Sequence, residues 1–363
     1  MVQSNASLEP LQAWIAGRAL EPRDGVEADA WADAAAAQGL SGLLRAHAAG
    51  KESWPNAART RLEEAHRLDL ARVVLRLDLA ARVQDRLLSA GIRSLPLKGA
   101  AVAERLYDCV GDRPMDDVDL LVLDDFARAR RLLLEDQLRE GERADHAVAF
   151  SEPGTGLTLE LHRSVTSCPG LFPVAADELW ARSRAGTGSV ARVPGAEDLF
   201  LQLALHASFQ HAGVLRLIQH LDLRRSLERE AIDPERLLTL ATDAHALSPL
   251  AAAVILATRL AGARVPAELA AALARALPSR LQRFFATAPI AAFIAPAPAA
   301  TVQVRLGLTR GRRAAFLART LAPAPIAEGE RGRTLLGRSV TLARRWISSR
   351  LAARGSAAGT ATP

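Results

Sequence analysis

Residues 95–122, LPLKGAAVAERLYDCVGDRPMDDVDLLV, decide how the chain is read. A short apolar run ends in Lys98-Gly99, and a helix-like segment follows. A polar loop holds Arg113 and Pro114, and Asp116, Asp117 and Asp119 then lead into Leu120-Leu121-Val122. About forty residues on, Leu157-Thr158-Leu159-Glu160-Leu161-His162 sets another acid inside an alternating apolar run. In a strand, successive side chains leave opposite faces, so Asp117 and Asp119 share one face while Val118 and Leu120 turn to the core. Three carboxylates on two neighbouring strands, beside a glycine turn, suit a divalent metal and a nucleotide. The cation they suit is hard and oxygen-liganded, Mg²⁺ or Mn²⁺. Glu160, set between Leu159 and Leu161, needs a partner, and a shared metal supplies one.

Outward from that stretch, the spacing predicts a small α/β unit. Ile92 to Leu97 reads as a strand, Gly99 to Tyr107 as a helix, Cys109 to Met115 as a loop and Asp117 to Leu123 as a strand. A helix capped by Asp124 or Asp125 is expected to run through about Glu140, with Gly141 ending it. His146 to Phe150 and Leu157 to His162 read as a hairpin across Glu152-Pro153-Gly154-Thr155-Gly156. Before this unit, apolar spacing near 3.6 predicts helices up to Gly91, which stands where a helix C-cap is expected. After it come a short helix over residues 177–185 and helices from Ala196 to about Leu277. The expected fold is therefore α+β and mainly helical, a small mixed α/β core with helical flanks. The expected divisions are 1–91, 92–190, 191–300 and a basic tail over 301–363. In that tail Leu336, Val340, Ala343, Ile347 and Leu351 line one face of a last helix, and residues 355–363 read as disordered.

Composition agrees. Apolar residues make up 49% of 363 and aromatics only 4%, which buries a core and favours helices over a β-sandwich. The net charge of +6 is uneven: residues 301–354 hold 12 arginines against Glu328 and Glu330, a surplus of ten, so the rest carries −4. The tail is thus a candidate surface for nucleic acid, an anionic membrane or a partner, or simply a solvated face. Cys109 and Cys168 make neither a metal-ligand spacing nor a disulfide framework, and a reducing cytoplasm fits. The first residues lack a signal-peptide pattern. The longest uncharged run, Phe284 to Val304, is broken by Pro289, Pro296 and Pro298, so no transmembrane segment is expected.

Of 46 basic residues only Lys51 and Lys98 are lysine, and one of them directly precedes the glycine turn. A compact ammonium suits a phosphate in a tight space. Gly99 opens a helix whose free N–H groups can meet phosphate, and Lys98 or Arg113 would neutralise it. Arg113 could equally pair with Asp112 or Asp116. Asp116 reads as a solvent-facing neighbour and Tyr107 as a helix-end core residue. His162 leaves the same face as Glu160 and either orients a ligand or caps the strand. His47 and His66 read as ordinary helix-surface residues. In LHASFQHAGVLRLIQHLDL, His206, His211, His220 and Asp222 lack the spacing of a zinc helix; they read as the wet side of a bundle or as a cleft wall.

The Lys-Gly turn, the tyrosine ahead of a loop arginine, the D-x-D strand and the later acid-x-His strand resemble the uncharacterised bacterial nucleotidyltransferase family of the polymerase-β-like superfamily. The matching part is residues 92–165. The resemblance implies transfer of a nucleoside monophosphate from an NTP to an acceptor with Mg²⁺, by a two-metal mechanism. By position it implies metal ligation by Asp117, Asp119 and Glu160 and a phosphate turn at Gly99. A non-catalytic nucleotide-binding module, or an RNA- or membrane-associated protein acting through the basic tail, is the alternative.

Overall fold

The computed structural model describes residues 5–321 apart from 145, 169, 294–297 and 310. The helix expected over 336–351 and the end expected to be disordered lie outside the described residues. Four helices come first: α1 Asn5–Ile15, α2 Gly25–Gln38, α3 Ser41–Ala48 and the long α4 Asn56–Ser89. Asp24 caps α2 by accepting from the Glu27 amide at 2.8 Å. Past the end of α4, Gly91 takes a left-handed φ of 74°, which glycine adopts without a Cβ clash.

The α/β unit follows as β1 Ser94–Pro96, α5 Lys98–Leu106, β2 Val118–Val122, α6 Phe126–Glu135, β3 Arg139–Arg143, β4 Ala147–Ser151 and β5 Thr158–His162. The sheet order is β1-β2-β5-β4-β3. Only β2 and β5 run parallel; the other neighbours are antiparallel. Pro96, which cannot donate to a ladder, sits on the edge strand β1. One face of the sheet packs Val118, Leu120, Val148, Phe150, Leu159 and Leu161 against α4 and α6 in a dry core. Asp119, Glu160 and His162 leave the opposite face.

One expectation fails here. The helix after β2 stops at Glu135, not Glu140, and residues 139–143 form the edge strand β3. The sequence REGER carries no apolar alternation, because an exposed edge strand needs none; its pairing with Phe150 and Ser151 across the sheet defines it. Asp125 is the residue that caps α6, accepting from the Arg128 amide at 2.9 Å, while Asp124 binds Arg93 instead.

The chain continues through α7 Ala176–Arg182 and a small hairpin of β6 Arg184–Ala185 with β7 Arg192–Val193. Then come α8 Ala196–Ala204, a π-helical segment Leu205–Gln210, α9 Leu217–Arg229, α10 Pro234–Asp243, α11 Leu247–Ala261, α12 Ala267–Leu273, α13 Ser279–Thr287, α14 Pro298–Leu308 and α15 Arg313–Leu321. The N-terminal and C-terminal helices share one apolar core: Leu11, Trp31, Leu44 and Trp54 join Phe200, Phe209, Leu250 and Phe285. Polar bonds knit the same junction. Gln12 donates to the Arg259 and Leu260 carbonyls, and Arg224 to those of Ile15 and Ala261. Helix α5 spans both cores, with Val102 and Leu106 in the helical one and Ala100 and Ala103 under the sheet. The first residues of the basic stretch are packed too: Val304, Leu308 and Phe316 are buried, and Arg305 caps the Phe209 and Gln210 carbonyls. Among the described residues no helix is long and apolar enough to cross a membrane. The architecture is α+β, a small mixed sheet with helical flanks.

Candidate active site

The parallel register of β2 and β5 sets Asp119 directly beside Glu160 and Leu121 beside His162. Neighbours in register leave the same face, and so do residues two apart on one strand. Asp119, Glu160 and His162 therefore converge, with one ligand atom from each within 4.8 Å of the others. His162 Nε2 lies 2.7 Å from Asp119 Oδ1 and 3.2 Å from Glu160 Oε2, so that nitrogen carries the proton. Lys98 Nζ donates to the same Asp119 Oδ1 at 2.7 Å. His162 thus bridges two carboxylates on the same face.

Burial alone would raise the Asp119 pKa, but the Lys98 ammonium and the His162 bond outweigh it and hold the carboxyl well below its usual range. Glu160 is also lowered, chiefly by the His162 bond. His162 is buried, which would lower it, yet the two carboxylates raise it. Asp117 stands apart. It lines the same cavity but is outside the 4.8 Å cluster. Burial, and next the Asp119 charge, push it up to about 6. Two ionised acids are neutralised by close cationic partners; the third is left crowded. A donor set of three oxygen acids with surplus negative charge at Asp117 fits a hard divalent cation.

The cavity is about 540 Å³. Its sheet side is Asp117, Asp119, His146 and Glu160, and the start of α5 brings Lys98 and Gly99. Lys98 has φ 46°, a left-handed conformation that costs a non-glycine residue about 1–2 kcal/mol and turns the chain into the helix. Gly99 is required by close approach: a Cβ there would lie 2.9 Å from Met115 Cβ. The first N–H groups of α5 have no intrahelical acceptor and so can serve an anion.

The helical side was legible only as one of two readings. His206, Gln210, His211, Arg216 and Gln219 all line the cavity, so this part of the stretch is a cleft wall, while His220 and Asp222 are buried and outside its lining. The π-helical turn, a rarity that recurs at functional sites, spans Leu205–Gln210. Burial lowers His211 and His146 to about 4 and holds His206 well below its usual value, so these rings are neutral near pH 7. Arg216 pairs with the exposed Asp116 at 3.0 Å on the cavity rim. Neither Arg216 nor His146 was singled out by spacing, because each enters through a contact across the fold.

Arg113 has neither of the partners expected from its neighbours in sequence. Its guanidinium forks onto both oxygens of Asp222 at 2.6–2.9 Å, and Tyr107 Oη donates to the same carboxylate at 2.7 Å. All three are buried, and Arg113 also lines the cavity. An ion pair across 109 residues cannot be read from spacing. Asp116, as expected, faces solvent. His66 is a second correction: it is 6% exposed, not on the surface, and touches Cys109 and Asp112.

The sheet is mixed, and its open face sets acids beside a lysine-led helix N-terminus. The sequence profile of the uncharacterised nucleotidyltransferases matches residues 24–262, well over half of the chain, and the protein belongs to that family. No curated protein matches it. Among solved structures, an antigenic nucleotidyltransferase-like protein from Paracoccidioides brasiliensis aligns at 16% identity over 46% of this chain and 86% of its own, with a TM-score of 0.30. That likeness is too slight to bear on the site.

Proposed function

We propose that the chain moves a nucleoside monophosphate from an NTP to an acceptor hydroxyl or amine, releasing pyrophosphate. The observation that carries this reading is the parallel register of Asp119 with Glu160, with Asp117 at the same cavity and the α5 N-terminus beside them. Asp117, Asp119 and Glu160 would hold Mg²⁺ or Mn²⁺. Bound there, such an ion would offset triphosphate charge and stabilise the charge that develops in the transfer. Lys98 Nζ, now on Asp119, is within reach of a phosphate at the start of α5, and Gly99 keeps the helix end open to it. Arg216 supplies a second cation once it leaves Asp116. Arg113 acts at one remove, holding the loop before Asp117 through Asp222. The neutral His206 and His211, with Gln210 and Gln219, offer hydrogen bonds to a base or acceptor. In the transfer, the acceptor atom bonds to the α-phosphorus and gives up its proton to solvent as the bond to the α–β bridging oxygen breaks and pyrophosphate leaves with the electron pair.

One observation favours a second reading. The Lys98 ammonium already contacts Asp119 Oδ1, where a ligated ion would compete with it. In a non-catalytic nucleotide-binding module that ammonium would stand in for the ion. The deciding experiment combines calorimetry of ATP with and without Mg²⁺ and a pyrophosphate-release assay on host extract. Mg²⁺-dependent release, lost in the Asp117→Asn/Asp119→Asn double variant with its fold intact, supports transfer. Binding that needs no Mg²⁺ and yields no pyrophosphate supports the module.

A further inference from the structure

A second cluster lies behind the active-site loop, where α4 meets the 3₁₀ turn Val110–Asp112. His66, Cys109 and Asp112 each bring one ligand atom within 4.8 Å of the other two. Cys109 Sγ is 3.9 Å from His66 Nε2, and His66 Nδ1 is 3.6 Å from Asp112 Oδ1. His66 is 6% exposed, and its Nδ1 and Asp112 Oδ1 are both buried with no hydrogen-bond partner. Two unsatisfied polar atoms facing each other in the interior are costly unless something bridges them.

Two glycines keep the cluster open. A Cβ at Gly42, inside α3, would lie 2.2 Å from Asp112 Oδ1 and 2.7 Å from His66 Nδ1. A Cβ at Gly111 would lie 2.9 Å from His66 Cε1. A glycine within a helix costs about 1 kcal/mol relative to alanine, so its presence at Gly42 is explained by the space it leaves at those two donors.

We propose that His66, Cys109 and Asp112 form a binding site for a thiophilic divalent transition metal, zinc foremost, that ties the 109–117 loop to α4. Thiolate, imidazole and carboxylate are zinc's usual ligands, with bonds of about 2.0–2.3 Å; a tetrahedral ion sets donors about 3.3–3.8 Å apart. The ion would take the unpartnered His66 Nδ1, already 3.6 Å from Asp112 Oδ1, and Cys109 would close in from within 4.8 Å as it turns from Nε2. A thiolate selects against Mg²⁺, so this set differs in kind from the oxygen-rich acids of the cavity. Water would fill the fourth position. Binding releases the Cys109 thiol proton to solvent. The ion fixes Asp112, and through it the loop that carries Arg113 into its pair with Asp222 and leads on to Asp117.

Co²⁺ titration of the full-length chain tests this, since a thiolate-to-cobalt charge-transfer band in the near ultraviolet cannot arise from the carboxylates of the cavity. The wild type is expected to show a band equivalent to one thiolate per chain, displaced by Zn²⁺. Cys109→Ser abolishes it, while Cys168→Ser and Asp119→Asn keep it. Asp112→Asn and Gly42→Ala weaken Co²⁺ binding at least tenfold. No band in the wild type, or a band that survives in a folded Cys109→Ser, overturns the proposal. Should Cys109→Ser fail to fold, unchanged Co²⁺ affinity in folded Asp112→Asn and Gly42→Ala overturns it equally.

Discussion

Asp119 and Asp222 are two buried aspartates with side chains 3% and 1% exposed, each bonded to a cation and to a second donor. They nonetheless do different things. Asp222 is closed: Arg113 takes both its oxygens and Tyr107 adds a further bond. Asp119 is open: Lys98 and His162 both bind its Oδ1, while Glu160 lies alongside and Asp117 crowds the same cavity. A carboxylate with matched charge holds a structure. One with surplus like charge around it and space in front is left with charge that a bound cation would offset.

Breaking each in turn sharpens the contrast. The largest effect is expected from Asp119→Asn, which should lower pyrophosphate release about 10³-fold with the circular dichroism spectrum unchanged. Next, Asp222→Ala leaves the Arg113 guanidinium buried and unpaired and should cost about 3–5 kcal/mol in urea unfolding. Replacing the pair together, Arg113→Met with Asp222→Leu, should recover much of that loss. If Asp222→Ala leaves stability untouched, the two aspartates are not as different as their surroundings suggest. Arg216→Ala should raise the KM for NTP about tenfold with kcat little changed, as loss of a ground-state phosphate contact would.

The smallest effect concerns pH. The folded Asp117 carboxyl titrates at about 6 against an ordinary 3.8. Between those values the folded chain holds a proton the unfolded chain has lost, so stability from this group is full below about pH 4 and gone above about pH 6. Asp117→Asn cannot ionise. It should therefore melt a few degrees above the wild type at pH 8, with the gap closing below about pH 4. Mg²⁺ should raise the wild-type melting temperature more at pH 8 than at pH 5. The same melting temperature for variant and wild type at pH 8 would mean that Asp117 is not crowded.

The strands and acids of the site were legible because strand alternation is local. Val118 and Leu120 had to point to the core, which put Asp119 on the other face; Leu159 and Leu161 did the same for Glu160 and His162. Asp117, expected on the same strand face, precedes β2 and meets the others only at the cavity. Strand β3 was not legible, since an exposed edge carries no apolar signature and exists only through its pairing with β4. Arg113 was legible as important but not in its partner, because Asp222 reaches it from α9. His66 looked like a surface residue, because a lone polar residue on a long helix gives no sign of what will cover it.

The sequence by itself determined the kinds of element, the shared face of the acids and the lysine-glycine start of α5. These follow from the two-residue repeat of strands and from what a glycine permits at a close approach. Only the tertiary structure decided that β2 and β5 pair in parallel with Asp119 beside Glu160, that the π turn and α9 wall the cavity, and that His66 meets Cys109 and Asp112. Each of these is a contact between segments tens of residues or more apart. Such contacts are selected by how whole faces bury together, a property of the packed chain rather than of any window along it.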